Sequence, residues 1–372
     1  SKIQVVTSTI TEKGYCLLPG NSGLDFENSD IQHDLTNLNN PKSMIGFVVK
    51  ACQLRQQNGQ KGFTFISCDN LPDNSQIAGK AILDFAQRLD PKLAEWIKTH
   101  VSFCNSMVDR IVPAVTAQDT EDFTKEFGYL DNALVSSEPF RQWVIEDNFI
   151  GERPPWDKVG VLFVKDVSQY EKLKLRFLNG SHSALAYLGK ITGHKFIHQA
   201  IANPTFKKLV ASLMTDMTRS LSADMTFDFD SYGQVIVERF LNDQIQYETQ
   251  QVATDGSQKL PQRILAPLSE LAEQDHISIA MCIVIAGWIY YLSGHAENRA
   301  ETHQISDPLA KQLQTIAQKD SFSCAEKVDA IMSIEGLFAD SLKANNDVKE
   351  LITNTLFSFH EKGIETTVES LL

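Results

Sequence analysis

A change of hydrophobic period near residue 168 constrains this chain more than any other feature. Before it, strand and helix character alternate: Ile3–Thr11 reads as a strand, Pro41–Asn58 as a helix, Gly62–Ser67 as a strand, Ile77–Leu89 as a helix and Lys158–Val167 as a strand. Such alternation predicts a parallel, doubly wound, Rossmann-like α/β architecture. After it, almost every segment has helical period: Tyr170–Gly189, Pro204–Ser222, Tyr232–Phe240, Leu260–Glu273, Ile277–Leu292, Pro308–Gln318, Cys324–Phe338 and Asn345–Lys362. The expectation is an α/β part over residues 1–168 followed by an all-α domain over 169–372. With 372 residues, 42% of them hydrophobic, the chain has ample apolar material for two cores.

A net charge of −13 argues against a nucleic-acid or anionic-membrane surface, because neither attracts such a field. A soluble, cytoplasmic enzyme acting on a small molecule is the class this leaves. Cys16, Cys52, Cys68, Cys104, Cys282 and Cys324 are scattered, with no Cys-x-x-Cys pair and no short His spacing, so reduced thiols and no zinc site are expected. The longest apolar stretch, Ile277–Leu292, is shorter than the roughly 20 residues a bilayer span needs and predicts a core helix. The first residues open directly as an alternating strand with no signal peptide, as a chain would that has lost something in front of it. Such a strand would expose an apolar edge prone to association.

Lys174, Asn179 and His182 carry an amine, an amide and an imidazole within one predicted helix. At about 100° per residue, Asn179 lies about 140° and His182 about 80° around from Lys174. The interleaved Leu173, Leu175, Phe177, Leu178, Leu185 and Leu188 would bury that helix and partly desolvate Lys174, drawing its pKa down towards the range of a general base. Asn179 could then donate to a developing alkoxide and His182 fix a hydroxyl. The alternative is structural, since an Asn-Gly pair at Asn179-Gly180 is a common turn.

Other polar groups stand where an α/β enzyme places chemistry, past the carboxyl ends of strands. Asn70 follows the strand that ends at Ser67, and Glu12 follows the strand Ile3–Thr11. By itself, Asn70 reads more simply as a turn residue before Pro72. Asp109 beside Arg110 reads as a structural ion pair. The run from Asp255 to Arg263 gathers Lys259 and Arg263 at a helix start, either a solvated terminus or an anion or polyol site.

Taken in order, six segments resemble the long-chain polyol dehydrogenases, the family of mannitol 2-dehydrogenase and of the fructuronate reductases, also called mannonate oxidoreductases. They are Thr9-Ile10-Thr11-Glu12-Lys13-Gly14-Tyr15, Ser67-Cys68-Asp69-Asn70-Leu71-Pro72, Asn105-Ser106-Met107-Val108-Asp109-Arg110, Glu138–Asp147, Lys174–His182 and Asp255–Arg263. The resemblance covers nearly the whole chain. It implies NAD as cofactor, no metal, and a sugar acid or polyol as substrate. It further implies Lys174 as general base, Asn70 and Asn179 as polarising amides, and His182 and Asp109 as holders of neighbouring hydroxyls. Lys259, with Arg263, would meet the far end of the substrate, and Glu12 would link the base to water.

Two departures matter. Family members carry a glycine-rich turn ahead of the Thr-Glu strand, and the nearest candidate here, Gly20-Asn21-Ser22-Gly23, follows no suitable strand. That predicts a chain lacking part of the dinucleotide-binding domain, with weak NAD binding of its own or a non-catalytic role as a sugar-acid-binding remnant. Gln251, eight residues before Lys259, stands where mannitol dehydrogenases place Arg. Together with Thr11–Cys16 and Pro41–Ser43, it leans towards the mannonate oxidoreductases, with mannitol 2-dehydrogenase as the alternative.

Overall fold

The computed structural model describes residues 2–18, 23–221, 227–297 and 301–372, and the chain divides into two compact units. One comprises Ser1–Arg110 with Pro139–Glu171, the other Ile111–Glu138 with Lys172–Leu372.

In the first unit, β1 (Val5–Ser8), β2 (Phe63–Ser67) and β3 (Val101–Cys104) form a parallel sheet in that order. The central strand is buried along its whole length, as a strand covered on both faces must be. Helices Met44–Gln57 and Asn74–Leu89 contribute Ile45, Val49, Ile82 and Phe85 to the core around Phe63 and Phe65. Ser43 starts the first of these helices by accepting the Gly46 amide at 3.0 Å. A second sheet, β4 (Ser106–Asp109), β5 (Gln142–Glu146) and β6 (Leu162–Val164), joins an antiparallel pair to a parallel one. Sequence periodicity reveals only β6 of it, because strands as short as β4 and β5 carry too few alternations.

Two predicted strands are shorter than expected. The Asp69 carboxylate accepts the amides of Ile10 and Thr11 at 2.8 Å each, removing them from any ladder. Thr11 then turns to φ 65°, and Glu12–Tyr15 forms a 3₁₀ turn, so β1 stops at Ser8. The strand expected over Lys158–Val167 shrinks to β6 because Trp156–Val159 closes another 3₁₀ turn, ended by Gly160 at φ 97°. Of the Gly20–Gly23 candidate, residues 20–22 lie outside the described residues.

The second unit is helical. Its centre is Ile279–Tyr291, buried at every position from Ala280 to Tyr291, as a helix apolar all round must be. Helices Ser181–Ile191 and Asn346–Lys362 pack against it. Ser278 caps it, accepting the Met281 amide at 3.1 Å and donating to Asp216 Oδ2 at 2.6 Å. The predicted helix Tyr170–Gly189 is one run from Ser168 to Ile191, whose middle, Lys174–Gly180, is π-helical. No turn forms at Asn179-Gly180. The helix expected over Leu260–Glu273 begins earlier, at Gly256, and contains a second π segment, Pro261–Leu265. Pro261 has no amide to offer the carbonyl four residues back, which favours the wider turn there. Among the described residues, no helix is long and apolar enough to cross a membrane. All six cysteines are free, with Cys52, Cys104 and Cys282 buried.

Ile111–Glu138 is tied to the helices of this unit by charge. Arg239 donates to Glu138 through Nε at 2.9 Å and Nη2 at 2.7 Å, both side chains being at most 5% exposed, and Glu138 Oε1 also accepts the Ile111 amide at 2.6 Å. Removing one partner strands the other charge away from water. Arg239→Ala is expected to lower unfolding free energy by about 3–5 kcal/mol in urea titration. A loss below about 1 kcal/mol would contradict the assigned role.

Candidate active site

The π segment decides what the helix Ser168–Ile191 can present. In an i→i+5 turn, residues five apart fall closer to one face than the about 140° a regular helix gives Lys174 and Asn179. Lys174 is half-buried at the start of the segment, and Asn179 is buried near its end.

Gly180 permits a close approach at this point. A Cβ there would lie 2.5 Å from Met217 Cε and 3.3 Å from the Arg263 carbonyl oxygen, so the two π segments pack backbone against backbone. Side chains then cross in both directions. Arg176, buried in the first segment, donates to Glu270 Oε1 at 2.7 Å and to Ser220 Oγ at 2.6 Å. Arg263, from the second, donates through Nη1 to the Asn179 carbonyl at 3.4 Å and to Ser183 Oγ at 3.2 Å.

One turn on, His182 is enclosed. Its ring stacks on Phe240 at 4.3 Å and meets Tyr247 edge-on at 5.6 Å, while Nε2 is buried with no hydrogen-bond partner among the described residues. Burial, then the positive charges of Arg263, Arg239 and Lys259, push its pKa down to about 3. The imidazole is therefore neutral at physiological pH, able to serve a hydroxyl as donor or acceptor but not as a cation. The Tyr187 hydroxyl is likewise buried without a described partner.

Lys259 donates to Thr254 Oγ1 at 3.1 Å and to the Val252 carbonyl at 3.4 Å, both neutral acceptors. Burial first, and Arg263 second, lower its pKa to about 8, with Asp255 and Asp307 opposing. Among the described residues, neither Lys259 nor Arg263 forms an ion pair with a carboxylate. Asn179, His182, Lys259 and Arg263 thus form one neighbourhood, electropositive and partly desolvated.

The remaining predicted residues lie on the first unit. Asn70 is exposed in the turn after β2, and Asp109 is buried at the end of β4. Glu12 opens the 3₁₀ turn after β1, and its side chain lies outside the described residues. The turn containing Asn70 is braced by Asp69, whose Oδ2 accepts the Tyr15 hydroxyl at 2.7 Å, and by Asn74, which donates to the carbonyls of Asp69 and Ser106 at 2.9 and 2.7 Å.

Sequence reasoning missed Glu171. Burial, and next the Asp73 carboxylate, raise its pKa to about 7, and Oε1 is buried without a described partner. A carboxyl titrating near neutrality can hold or release a proton under working conditions. No local signal marks it, because the causes are burial and a carboxylate about a hundred residues away. Among the described residues, no group of three His, Cys, Asp or Glu side chains is placed to hold a metal ion.

The buried imidazole gives a pH signature. An unfolded histidine protonates near pH 6.5, whereas His182 in the folded chain stays neutral down to about 3. The unfolded state binds the extra proton between those values, so this group removes stability as pH falls below about 6.5. His182→Gln is expected to lose less stability than wild type between pH 7 and pH 5 in urea titration. Identical losses would contradict the buried, neutral assignment.

Comparison with known proteins agrees with this architecture. The mannitol dehydrogenase Rossmann domain profile matches residues 1–158, and the mannitol dehydrogenase C-terminal domain profile matches residues 166–359. The chain is 40% identical to D-mannonate oxidoreductase of Escherichia coli (strain K12), over 99% of this chain and 75% of that protein. It is 36% identical to mannitol 2-dehydrogenase of Aspergillus fumigatus, over 98% and 73%. Among solved structures, Pseudomonas fluorescens mannitol 2-dehydrogenase in ternary complex with NAD and D-mannitol superposes with TM-score 0.81 at 36% identity, covering 99% of this chain and 74% of that one. A substrate-free D-sorbitol dehydrogenase gives TM-score 0.90 at 30% identity, covering 98% and 75%. By both of its domains, the chain belongs to the mannitol dehydrogenase family of oxidoreductases.

Proposed function

We propose that this chain is an NAD-dependent, cytoplasmic dehydrogenase that interconverts D-mannonate and D-fructuronate by hydride transfer at a secondary alcohol. The observation that carries the choice of a sugar acid is Lys259, a partly desolvated cation whose hydrogen-bond acceptors among the described residues are both neutral. A substrate carboxylate would supply the missing charge. The exposed Gln251 adds no cation at its position, so Lys259 is the group assigned to the carboxylate.

The residues of the first unit fit a nicotinamide cofactor. Its parallel strands bring their carboxyl ends side by side, the usual place for a nucleotide, and there the buried Ser8 hydroxyl has no described partner. NAD, when bound, supplies the hydride acceptor. Lys174 Nζ takes the hydroxyl proton as the carbinol carbon is oxidised. The Asn179 carboxamide donates to the same oxygen as charge develops on it, and the neutral His182 Nε2 holds a neighbouring hydroxyl. The same reading gives Asn70 the role of second amide donor, Asp109 that of hydroxyl acceptor, and Glu12 that of a link to water.

Charge at Lys259 makes recognition pH-dependent. Its ammonium is present below about pH 8 and lost above, so KM for D-mannonate is expected to rise as pH passes 8. Lys259→Met should raise that KM at pH 7 and flatten the dependence, and D-mannonate should be oxidised faster than D-mannitol at matched concentrations. Faster turnover of D-mannitol, or a KM for D-mannonate flat from pH 7 to 9.5 in wild type, would overturn the assignment.

A further inference from the structure

Arg263 carries the less obvious half of the cation pair. Its Nη1 points away from any acidic partner and into the backbone of the helix that holds Lys174 and Asn179. Its two acceptors are linked to each other, since Ser183 Oγ itself donates to the Asn179 carbonyl at 3.1 Å. A π turn displaces carbonyls from their ordinary i+4 amides, and the Asn179 carbonyl lies at the place where π geometry returns to α. Arg263 and Ser183 thus satisfy a backbone oxygen at the junction, from opposite sides of the Gly180 contact.

The arrangement is reciprocal. Arg176 leaves the first π segment to pair with Glu270, beyond the second, while Arg263 leaves the second to reach residues at and beyond the end of the first. Two guanidiniums, one buried and one half-buried, therefore cross the same contact in opposite directions. The Tyr187 and Tyr247 rings lie close enough to Arg263 to influence it electrostatically, and Tyr247 in turn packs on His182. A guanidinium in this position fixes the direction in which Asn179 leaves the helix, and small errors in such a direction are costly to a reaction.

We propose that Arg263 is a positioning residue, not a substrate ligand: by bridging the two π segments at the Asn179 carbonyl, it holds the helix in the register that aims Lys174 and Asn179. This rests on the dehydrogenase reading above. Loss of Arg263 would let residues 176–183 relax towards a regular helix and turn Asn179 from the reacting oxygen. Lysine keeps the charge but not the forked reach to both acceptors, so Arg263→Lys would restore only part of the function.

Arg263→Gln, Arg263→Lys and Ser183→Ala would be compared with wild type in NAD-linked oxidation of D-mannonate and D-mannitol, with amide hydrogen exchange across residues 176–183 recorded on the same preparations. For Arg263→Gln, kcat is expected to fall about 10- to 100-fold with each substrate that wild type turns over, with KM within about twofold and faster exchange at 179–183. Arg263→Lys should be intermediate, and Ser183→Ala should show a smaller loss of the same kind. A rise in KM confined to D-mannonate with kcat unchanged would make Arg263 a carboxylate ligand and overturn the proposal, as would unchanged exchange. Wild-type protein inactive on both substrates would refute the dehydrogenase reading, while exchange would still decide whether Arg263 holds the segment.

Discussion

The packing of Gly180 against the Arg263 carbonyl and the side chains of Met217 and Ile264 governs what the helical unit can offer. It needs a residue without a side chain at 180, and it needs two helices that both widen to π geometry at the point of contact. An interior glycine costs a regular helix about 1 kcal/mol, a penalty that close packing and the Arg176 and Arg263 bridges offset. The contact places an amine, an amide and a neutral imidazole within nine residues on a rigid element, not on a loop.

Around that contact the chain keeps charge deliberately unbalanced. Glu138 answers Arg239 and Glu270 answers Arg176, each through short ionic hydrogen bonds. Lys259 and Arg263 have no such answer among the described residues. Partly desolvated cations without a paired carboxylate are costly. Lys259 lies near two buried polar atoms without partners among the described residues, His182 Nε2 and the Tyr187 hydroxyl, and the proposed substrate carboxylate would answer its charge.

Much of this was legible before any coordinates. The switch of period near residue 168 announced an α/β part followed by helices, and the apolar run Ile277–Leu292 announced the core helix that forms over Ile279–Tyr291. Spacing placed Lys174, Asn179 and His182 on one helix, which forms, while the roles proposed for them rest on the family resemblance. The π segment was not legible, because hydrophobic period is blind to a single inserted backbone position, and so Asn179-Gly180 kept a turn as its alternative. Glu171 was missed because its raised pKa comes from burial and from Asp73, distant in sequence. In the second sheet, β4 and β5 were missed because they are short and their pairing joins residues more than 30 apart. The end of β1 was misplaced because the competitor for its amides, the Asp69 carboxylate, lies almost 60 residues away.

The reading stands or falls on Lys174 as the proton acceptor. The direct test is NAD reduction at 340 nm with D-mannonate by wild type and Lys174→Ala, with and without added primary amine. Loss of about 10²–10⁴ in kcat, partly restored by an amine according to its fraction of free base, is the result predicted for a general base. A Lys174→Ala enzyme that turns over D-mannonate at the wild-type rate would contradict it.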